Sequence, residues 1–290
     1  MFLPIPQRAY SHCMKQLTAT ICLALLTGCA GIPATSSDST GDGWSHANQL
    51  SFDGRTRSYS VYAPAAPESQ GLMVVLHGAR DTVENVISDT NLEVPAQENG
   101  LIVVVPAGID NGWNDEDPPG GQLADDVGFI DALVTDIKAA HPSLPSDRVF
   151  AHGFSNGGGL ATRLACESSE IRGVGVVGNY YMSIAATCPR PSGHSNPGWF
   201  GAGTDDQLVP VEAVREGMTS YAADLTDCQS IGPLEPIAQT DMPGDVLCKQ
   251  LAGCDSARLC EYTGRGHEML PGAFVAAWHF LSGAVQSQSN

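Results

Sequence analysis

A pentapeptide, Gly153-Phe154-Ser155-Asn156-Gly157, lies between two stretches of opposite character and constrains the fold more than any other feature. The preceding residues 148–152 are strand-like and mostly apolar, whereas residues 158–166 are typical of a helix. A serine in a sharp strand-to-helix turn is held away from the backbone, where a base can reach its hydroxyl. The flanking glycines are needed because a side chain at either position would crowd the turn. The pattern therefore predicts a nucleophilic serine, Ser155, at the end of a strand.

The order of apolar segments predicts an α/β fold in one sizeable domain. Residues 72–76 and 101–105 are continuous apolar runs, as expected of strands buried on both faces of a sheet. Residues 127–140 have helical spacing, and further strand-like runs alternate with helical segments up to a final helix at 273–281. This alternation indicates a mostly parallel central sheet with helices on both faces. Functional groups are then expected at the carboxyl ends of the strands.

The N-terminus has the pattern of an export signal. Arg8 and Lys15 precede a short apolar run at 17–26, which is followed by Leu26-Thr27-Gly28-Cys29. This predicts a signal peptide over residues 1–28. The cysteine after the small residues resembles the lipobox of bacterial lipoproteins, which implies a lipid on Cys29; the alternative is an ordinary secreted protein. Residues 29–43, rich in Ser, Thr, Gly and Pro, are expected to be a flexible tether to a catalytic domain at 44–290.

Cysteine usage also favours export. Nine cysteines are present, and six of them lie beyond residue 100. An even set in an exported chain indicates disulfides, and the absence of paired cysteine and histidine spacings disfavours a zinc site. Cys166 and Cys188 form a natural local pair, whereas the pairing of the other four stays open. The six are Cys166, Cys188, Cys228, Cys248, Cys254 and Cys260.

The strongly acidic composition disfavours two classes of partner. The formal net charge is −18, and without residues 1–28 the chain keeps 12 basic and 32 acidic residues, a net charge of −20. Such a surface repels nucleic acid and anionic lipid. We therefore expect no nucleic-acid partner, and membrane contact only through a lipid on Cys29. The acidic residues are scattered, which is typical of a solubilising surface.

A serine nucleophile needs a histidine base and a carboxylate that orients it, and in such sheets the chain order is serine, acid, histidine. His267 follows a strand in a glycine-rich loop, Gly264-Arg265-Gly266-His267, where a catalytic histidine is expected. His279 lies in an apolar helical segment, which favours a packing role. The acid lies in the segment that follows the strand at 198–202. Asp206 is preferred there and Asp205 remains the competitor, since either could cap a turn.

The oxyanion of the tetrahedral intermediate needs backbone donors. One is expected from Asn156, directly after the serine. The other is expected from the loop after His77, where Ala79 is preferred and Arg80 is the alternative. His77 is predicted to hydrogen-bond within this loop, and His152 to be a packed strand residue. No metal or organic cofactor is required by this chemistry.

Further motifs resemble the secreted polyhydroxybutyrate depolymerase and feruloyl esterase family. The resemblance covers most of residues 44–281. Its most specific part is residues 125–129, which precede the helix that leads to the serine strand. It implies an α/β-hydrolase fold and hydrolysis of carboxylic esters by Ser155. The motifs, in chain order, are Arg57-Ser58-Tyr59, Leu76-His77-Gly78, Gly112-Trp113-Asn114, Asp125-Asp126-Val127-Gly128-Phe129, Gly153-Phe154-Ser155-Asn156-Gly157-Gly158 and Gly266-His267.

The resemblance also selects among the open alternatives. The family pattern Gly-Thr-x-Asp-x-x-Val-Pro falls on residues 203–210 and selects Asp206, and the Gly-His motif selects His267. Where relatives often have a tryptophan after the histidine, this chain has residues 268–272, Glu-Met-Leu-Pro-Gly. Trp113 could supply an aromatic wall for the substrate instead, or be a core residue. Asp125 and Asp126 are interpreted as structural residues that cap a helix.

Two other functional classes fit the same features. The first is a non-catalytic surface lipoprotein that keeps the fold and binds a polymer or partner protein. The second is a thioesterase or peptidase built on the same scaffold. A complete triad in the expected chain order favours the esterase over both.

Overall fold

A ten-stranded sheet organises the part of the chain that the structure describes. This computed structural model describes residues 43–64, 69–115, 124–182, 188, 195–238 and 242–288. The predicted signal peptide, Cys29 and the tether up to residue 42 lie outside the described residues. The strands are β1 Trp44–Phe52, β2 Arg55–Tyr62, β3 Gly71–Leu76, β4 Leu101–Pro106, β5 Val149–Phe154, β6 Val174–Val177, β7 Gly198–Gly203, β8 Leu234–Pro236, β9 Val246–Leu251 and β10 Cys254–Tyr262.

The sheet is parallel in its centre and antiparallel at both edges. Its strand order is β1-β2-β4-β3-β5-β6-β7-β10-β9-β8. The strands from β4 to β10 in this order run parallel, whereas β1, β2, β8 and β9 pair antiparallel. Every residue of β3 and β4 is buried, as the continuous apolar runs predicted. The central parallel strands therefore end at one common edge, where the functional groups collect.

Helices cover both faces of the sheet, and each face has its own apolar core. Apolar residues of α3, α4 and α5 pack on one face, and those of α1, α2 and α6 pack on the other. The predicted α/β-hydrolase fold is confirmed. The helices are α1 Val83–Thr90, α2 Glu93–Asn99, α3 Asp126–Ala140, α4 Asn156–Glu167, α5 Val211–Leu225 and α6 Ala273–Gln288.

Four elements were not anticipated from the sequence. Helices α1 and α2 and strands β8 and β9 have no counterpart among the predicted segments. Strand β9 is only partly buried, so it lacks the continuous apolar run that marks a central strand. Its position depends instead on pairing with β10, which local sequence does not encode.

A buried carboxylate joins three elements behind the loop that carries His267. Glu261, near the end of β10, accepts hydrogen bonds from Arg215 of α5 and Lys249 of β9 at 2.7–2.9 Å. Burial alone would raise the pKa of Glu261, but these cationic donors hold its pKa below the ordinary value. The charged carboxylate thus fixes the end of β10 against its neighbours.

Three disulfides are present in the described structure. Cys166 pairs with Cys188, the local pair that the sequence favoured. The four later cysteines pair as Cys228–Cys254 and Cys248–Cys260. The second of these bridges joins β9 to β10, the strand that leads to His267. Three bridges indicate that this domain matures in an oxidising, extracytoplasmic environment.

Candidate active site

Ser155 lies in a strained turn between β5 and α4. Its backbone has φ 51° and ψ −120°, a region that non-glycine residues rarely adopt. A Cβ at Gly153 would lie 2.1 Å from the carbonyl oxygen of Gly157, and one at Gly157 would lie 2.3 Å from that of Leu76. Both glycines are therefore required by close backbone approach. The turn directs the serine side chain out of the sheet edge.

Two hydrogen bonds with residues at and just after the end of β6 hold this turn in place. The Ser155 N–H donates to the carbonyl of Val177 at the end of β6, at 2.8 Å. The Asn179 side-chain amide donates to the Ser155 carbonyl, at 2.7 Å. These two contacts fix the serine from the side of the adjacent strand, so that its strained conformation is maintained.

The loops after β7 and β10 lie side by side because these strands are parallel and in register. Gly203 pairs with Tyr262 at their ends. The Asp205 N–H then donates to the Arg265 carbonyl at 2.9 Å, and the Gly264 N–H donates to the Thr204 hydroxyl at 2.9 Å. An acid after β7 and a histidine after β10 are thereby brought into contact.

Ser155, His267 and Asp206 form a continuous hydrogen-bonded chain. His267 Nε2 lies 2.9 Å from Ser155 Oγ, and His267 Nδ1 lies 2.8 Å from Asp206 Oδ2. Asp206 is buried, and its Oδ1 accepts from the N–H groups of Leu208 and Val209, each at 2.8 Å. A carboxylate accepts only, so Nδ1 carries the proton and Nε2 is free to accept from the serine hydroxyl.

The competing residues lie elsewhere. Asp205 is exposed and accepts from the hydroxyl of Thr204 at 3.2 Å. His279 is exposed on α6, where its Nε2 contacts Asn99 at 3.1 Å. The structure thus brings together the three residues that the sequence preferred, and it separates the two alternatives from them.

The loop after β3 passes directly beside the serine. A Cβ built on Gly78 would lie 3.7 Å from the Ser155 Cβ. The Arg80 N–H is already used, because it donates to the Asn111 carbonyl at 2.7 Å. Within the described residues no hydrogen bond uses the N–H of Ala79. Asn156 begins α4, so its N–H has no helical partner either. The two amides predicted as oxyanion donors are therefore unused by the hydrogen bonds of the described residues.

His77 fixes the conformation of this loop. Its ring is buried, with Nδ1 2.8 Å from the Gly78 carbonyl and Nε2 accepting from the Gly108 N–H at 2.9 Å. This arrangement requires the neutral Nδ1–H tautomer. Burial lowers the pKa of His77, which keeps the ring neutral. The predicted loop role of His77 agrees with these contacts.

Trp113 is a core residue rather than an open aromatic wall. Its side chain is 6% exposed, and its ring centroid lies 4.8 Å from that of His77. Its Nε1–H donates to the His77 carbonyl at 3.0 Å. The structure therefore favours the buried-core interpretation of Trp113 over the substrate-wall interpretation. Its contribution to the site is to support the loop beside Ser155.

Asn156 makes a contact that sequence reasoning missed. Its side-chain Oδ1 accepts from the Trp113 N–H at 2.7 Å, and its Nδ2 donates to the Trp113 carbonyl at 3.0 Å. This pair of bonds ties the start of α4 to the segment that packs on His77. The only sequence signal was an asparagine directly after the serine.

Asp125 and Asp126 are structural, as expected. Asp125 caps α3 by accepting from the Gly128 N–H at 2.9 Å. Asp126 is buried, forms an ion pair with Arg57 at 2.8 Å, and accepts from the Asn114 N–H at 2.8 Å. Neither aspartate takes part in the hydrogen-bonded chain at Ser155. Asp126 instead joins β2 and α3 to the loop that contains Trp113.

The described residues contain no group of three or more histidine, cysteine, aspartate or glutamate side chains that could hold a metal ion. Among the same residues, no helix is both long enough and apolar enough to cross a bilayer.

Comparisons with known proteins agree with this geometry. Residues 57–186 match the family model described as esterase PHB depolymerase. This segment is similar to the polyhydroxybutyrate depolymerase and feruloyl esterase family. The matched segment contains the Ser155 turn, both predicted oxyanion residues and the Arg57–Asp126 pair.

Two relatives are similar over longer stretches. "Putative esterase NocK" of Nocardia uniformis subsp. tsuyamanensis is 31% identical over 225 residues, which is 75% of this chain and 63% of that protein. Feruloyl esterase B of Thermothelomyces thermophilus is 29% identical over 143 residues, 47% of each chain. The chain thus spans about two thirds or less of the length of these two relatives.

A solved structure is similar in fold. The acetyl xylan esterase from Aspergillus awamori superposes with a TM-score of 0.58 at 16% identity, covering 77% of this chain and 94% of that one. At this identity the likeness concerns the α/β-hydrolase architecture alone.

Proposed function

We propose that this protein is a serine hydrolase that cleaves carboxylic esters through an acyl-enzyme intermediate. The observation that carries the proposal is the continuous chain from Ser155 Oγ through His267 to Asp206 Oδ2, with both contacts below 3 Å. A binding protein has no need of a serine held in a strained turn next to a correctly oriented imidazole. Similarity to an esterase family supports the same reaction class.

In the first half-reaction Ser155 Oγ attacks the ester carbonyl carbon while His267 Nε2 takes the hydroxyl proton. Asp206 holds the ring and stabilises the imidazolium through the Nδ1–H bond. The N–H groups of Asn156 and Ala79 donate hydrogen bonds to the carbonyl oxygen and stabilise the negative charge that develops on it. His267 then gives its proton to the departing alkoxide, which leaves as an alcohol, and the acyl group stays on Ser155.

In the second half-reaction water replaces the alcohol. His267 Nε2 takes a proton from water, whose oxygen attacks the acyl carbon, and the same two amides hold the oxyanion. Collapse returns the proton to Ser155 Oγ and releases the carboxylic acid. Each step moves one proton through one imidazole, so no cofactor enters the scheme.

Two exposed apolar side chains suggest where the substrate lies. Leu208 is 74% exposed and follows Asp206 by two residues. Met182 is 61% exposed and lies three residues after Asn179, which contacts the Ser155 carbonyl. We propose that each of these side chains contacts the apolar part of an ester substrate, since each is close in the chain to a residue that contacts Ser155 or His267.

A fluorophosphonate probe tests the nucleophile. The probe phosphonylates an activated serine, so the unaltered protein is expected to be labelled and Ser155→Ala to lose labelling completely. Ser282→Ala, on α6, serves as the matched control and should be labelled like the unaltered protein. Undiminished labelling of Ser155→Ala would refute the assignment of Ser155.

A panel of substrates separates the alternatives on the same scaffold. We expect turnover of acetyl, butyryl and feruloyl esters and of polyhydroxybutyrate to exceed that of matched thioesters and peptides. A strict preference for a thioester or a peptide would assign the protein to the thioesterase or peptidase alternative. Probe labelling without turnover of any of these substrates would leave binding as the function.

The chain is also proposed to be tethered to a cell envelope through a lipid on Cys29, with residues 29–43 as the linker to the catalytic domain at 44–290. The small residues before Cys29 and the disulfides of the domain support export. Palmitate supplied to expressing cells should label the protein but not Cys29→Ser. Equal labelling of both would contradict the anchor and favour simple secretion.

A further inference from the structure

A cavity on the α6 face of the sheet contains an unexplained buried histidine. Its volume is about 350 Å³, and the residues lining it include neither Ser155 nor His267. The walls come from three places: the strands β3 and β5, the connection between α1 and α2, and the segment leading into α6. The principal apolar residues are Val75, Leu92, Met269, Leu270 and Phe274.

His152 of β5 forms part of the wall and lacks hydrogen-bond partners. Its side chain is 1% exposed, and neither ring nitrogen has a partner within the described residues. A Cβ on Gly175 would lie 2.3 Å from His152 Nδ1, and Phe274 meets the ring edge-on with centroids 6.0 Å apart. An unpaired buried polar group costs free energy, so an apolar side chain would serve better in a purely structural role. We therefore infer that the imidazole of His152 forms a hydrogen bond to a ligand in the cavity.

The rim of the cavity reaches the surface and selects against anions. Asp89, Asn91, Pro271 and Gly272 are exposed lining residues. Among the described residues that line the cavity, Asp89 is the only ionisable one besides His152, and its carboxylate repels a negative ligand. Burial lowers the pKa of His152 to about 4, so the ring is neutral at pH 7 and offers one donor and one acceptor. Both features favour an uncharged hydroxyl compound.

The volume of about 350 Å³ is sufficient for a small ligand. An apolar cavity of about 150 Å³ holds benzene, and drug-sized ligands occupy about 300–1,000 Å³. We propose that this cavity is a binding site for an uncharged, single-ring apolar molecule with one hydroxyl group, and that His152 is its hydrogen-bond partner. The proposed site is separate from the Ser155 centre. Its assignment depends only on His152 and on the other residues that line the cavity.

Titration calorimetry with p-cresol at pH 7.5 tests the site. We expect saturable binding of one p-cresol per chain, at least tenfold weaker binding of 4-methylanisole, whose oxygen cannot donate, and no binding of the anion p-toluate. His152→Leu should stay folded, because it removes unpaired nitrogens, and should lose the preference for p-cresol over 4-methylanisole. His141→Leu, at the end of α3 on the other face, is the matched control and should bind like the unaltered protein.

Two further measurements locate the binding. Ser155→Ala should bind p-cresol unchanged, because the proposed site does not include the nucleophile. In protein with ¹⁵N-labelled histidine, p-cresol should shift the His152 ring resonances and leave those of His267 in place. The proposal would be overturned if His152→Leu bound p-cresol as well as the unaltered protein does, or if Ser155→Ala lost this binding. It would also be overturned if the His152 ring resonances did not shift at saturation, or if a water molecule were the only partner of the ring.

Discussion

At the scale of single residues, the site depends on which of two adjacent aspartates meets the imidazole. Asp206 is buried and contacts His267 Nδ1 at 2.8 Å, whereas Asp205 is exposed and contacts Thr204. Asp206→Asn keeps the size of the side chain but allows its amide to donate, which favours the wrong histidine tautomer. We expect kcat for an ester substrate to fall by roughly 10³- to 10⁴-fold.

Asp205→Asn is the matched control for this measurement. It changes the same residue type one position earlier, away from the ring, and should leave kcat close to its original value. A comparable loss of kcat in both variants would show that the loop, rather than the carboxylate on His267, determines activity.

At the scale of elements, the buried pair of Arg57 and Asp126 joins β2 to α3. Both side chains are almost fully buried, and Arg57 also donates to the Ala107 carbonyl at 3.2 Å. Asp126→Asn removes the charge and leaves a buried guanidinium uncompensated. We expect the free energy of unfolding, measured with urea, to fall by about 3 kcal/mol or more.

The neighbouring aspartate again supplies the control for the ion-pair measurement. Asp125 caps α3, and asparagine caps helices about as well as aspartate. Asp125→Asn should therefore change the free energy of unfolding by less than about 0.5 kcal/mol. Equal destabilisation by the two variants would mean that capping, rather than the ion pair, holds α3.

At the scale of the whole molecule, His152 makes stability depend on pH. Its pKa is about 4 in the folded chain because of burial, against an ordinary value near 6.5. Between these two pKa values His152 is protonated in the unfolded chain but not in the folded chain. The contribution of His152 to stability therefore falls as pH decreases from about 6.5 to about 4. The loss amounts to roughly 3 kcal/mol over the full window.

His152→Leu removes this contribution. We expect the stability of the variant relative to the unaltered protein to increase as pH falls from 7.5 to 4.5, as measured by urea denaturation at both values. Parallel pH profiles for the unaltered protein and His152→Leu would contradict a neutral buried imidazole at this position.

The central strands, the helices after residue 125 and the catalytic order could be predicted because their signals are local. Continuous apolar runs marked β3 and β4, and a glycine on either side of Ser155 marked the turn. Strand β9 was missed because its exposure is mixed and its place depends on β10. The choice between Ala79 and Arg80 was open because it depends on Asn111, which lies about thirty residues further along the chain.

The sequence by itself determined the fold class, the serine turn, and the order of serine, acid and histidine, since each depends on residue types within short segments. Only the tertiary structure decided the cysteine pairs after residue 200, the buried position of Trp113, its clamp by Asn156, and the cavity at His152. These features arise where segments far apart in the chain meet. Their geometry is set by strand register and helix packing, which no single segment encodes.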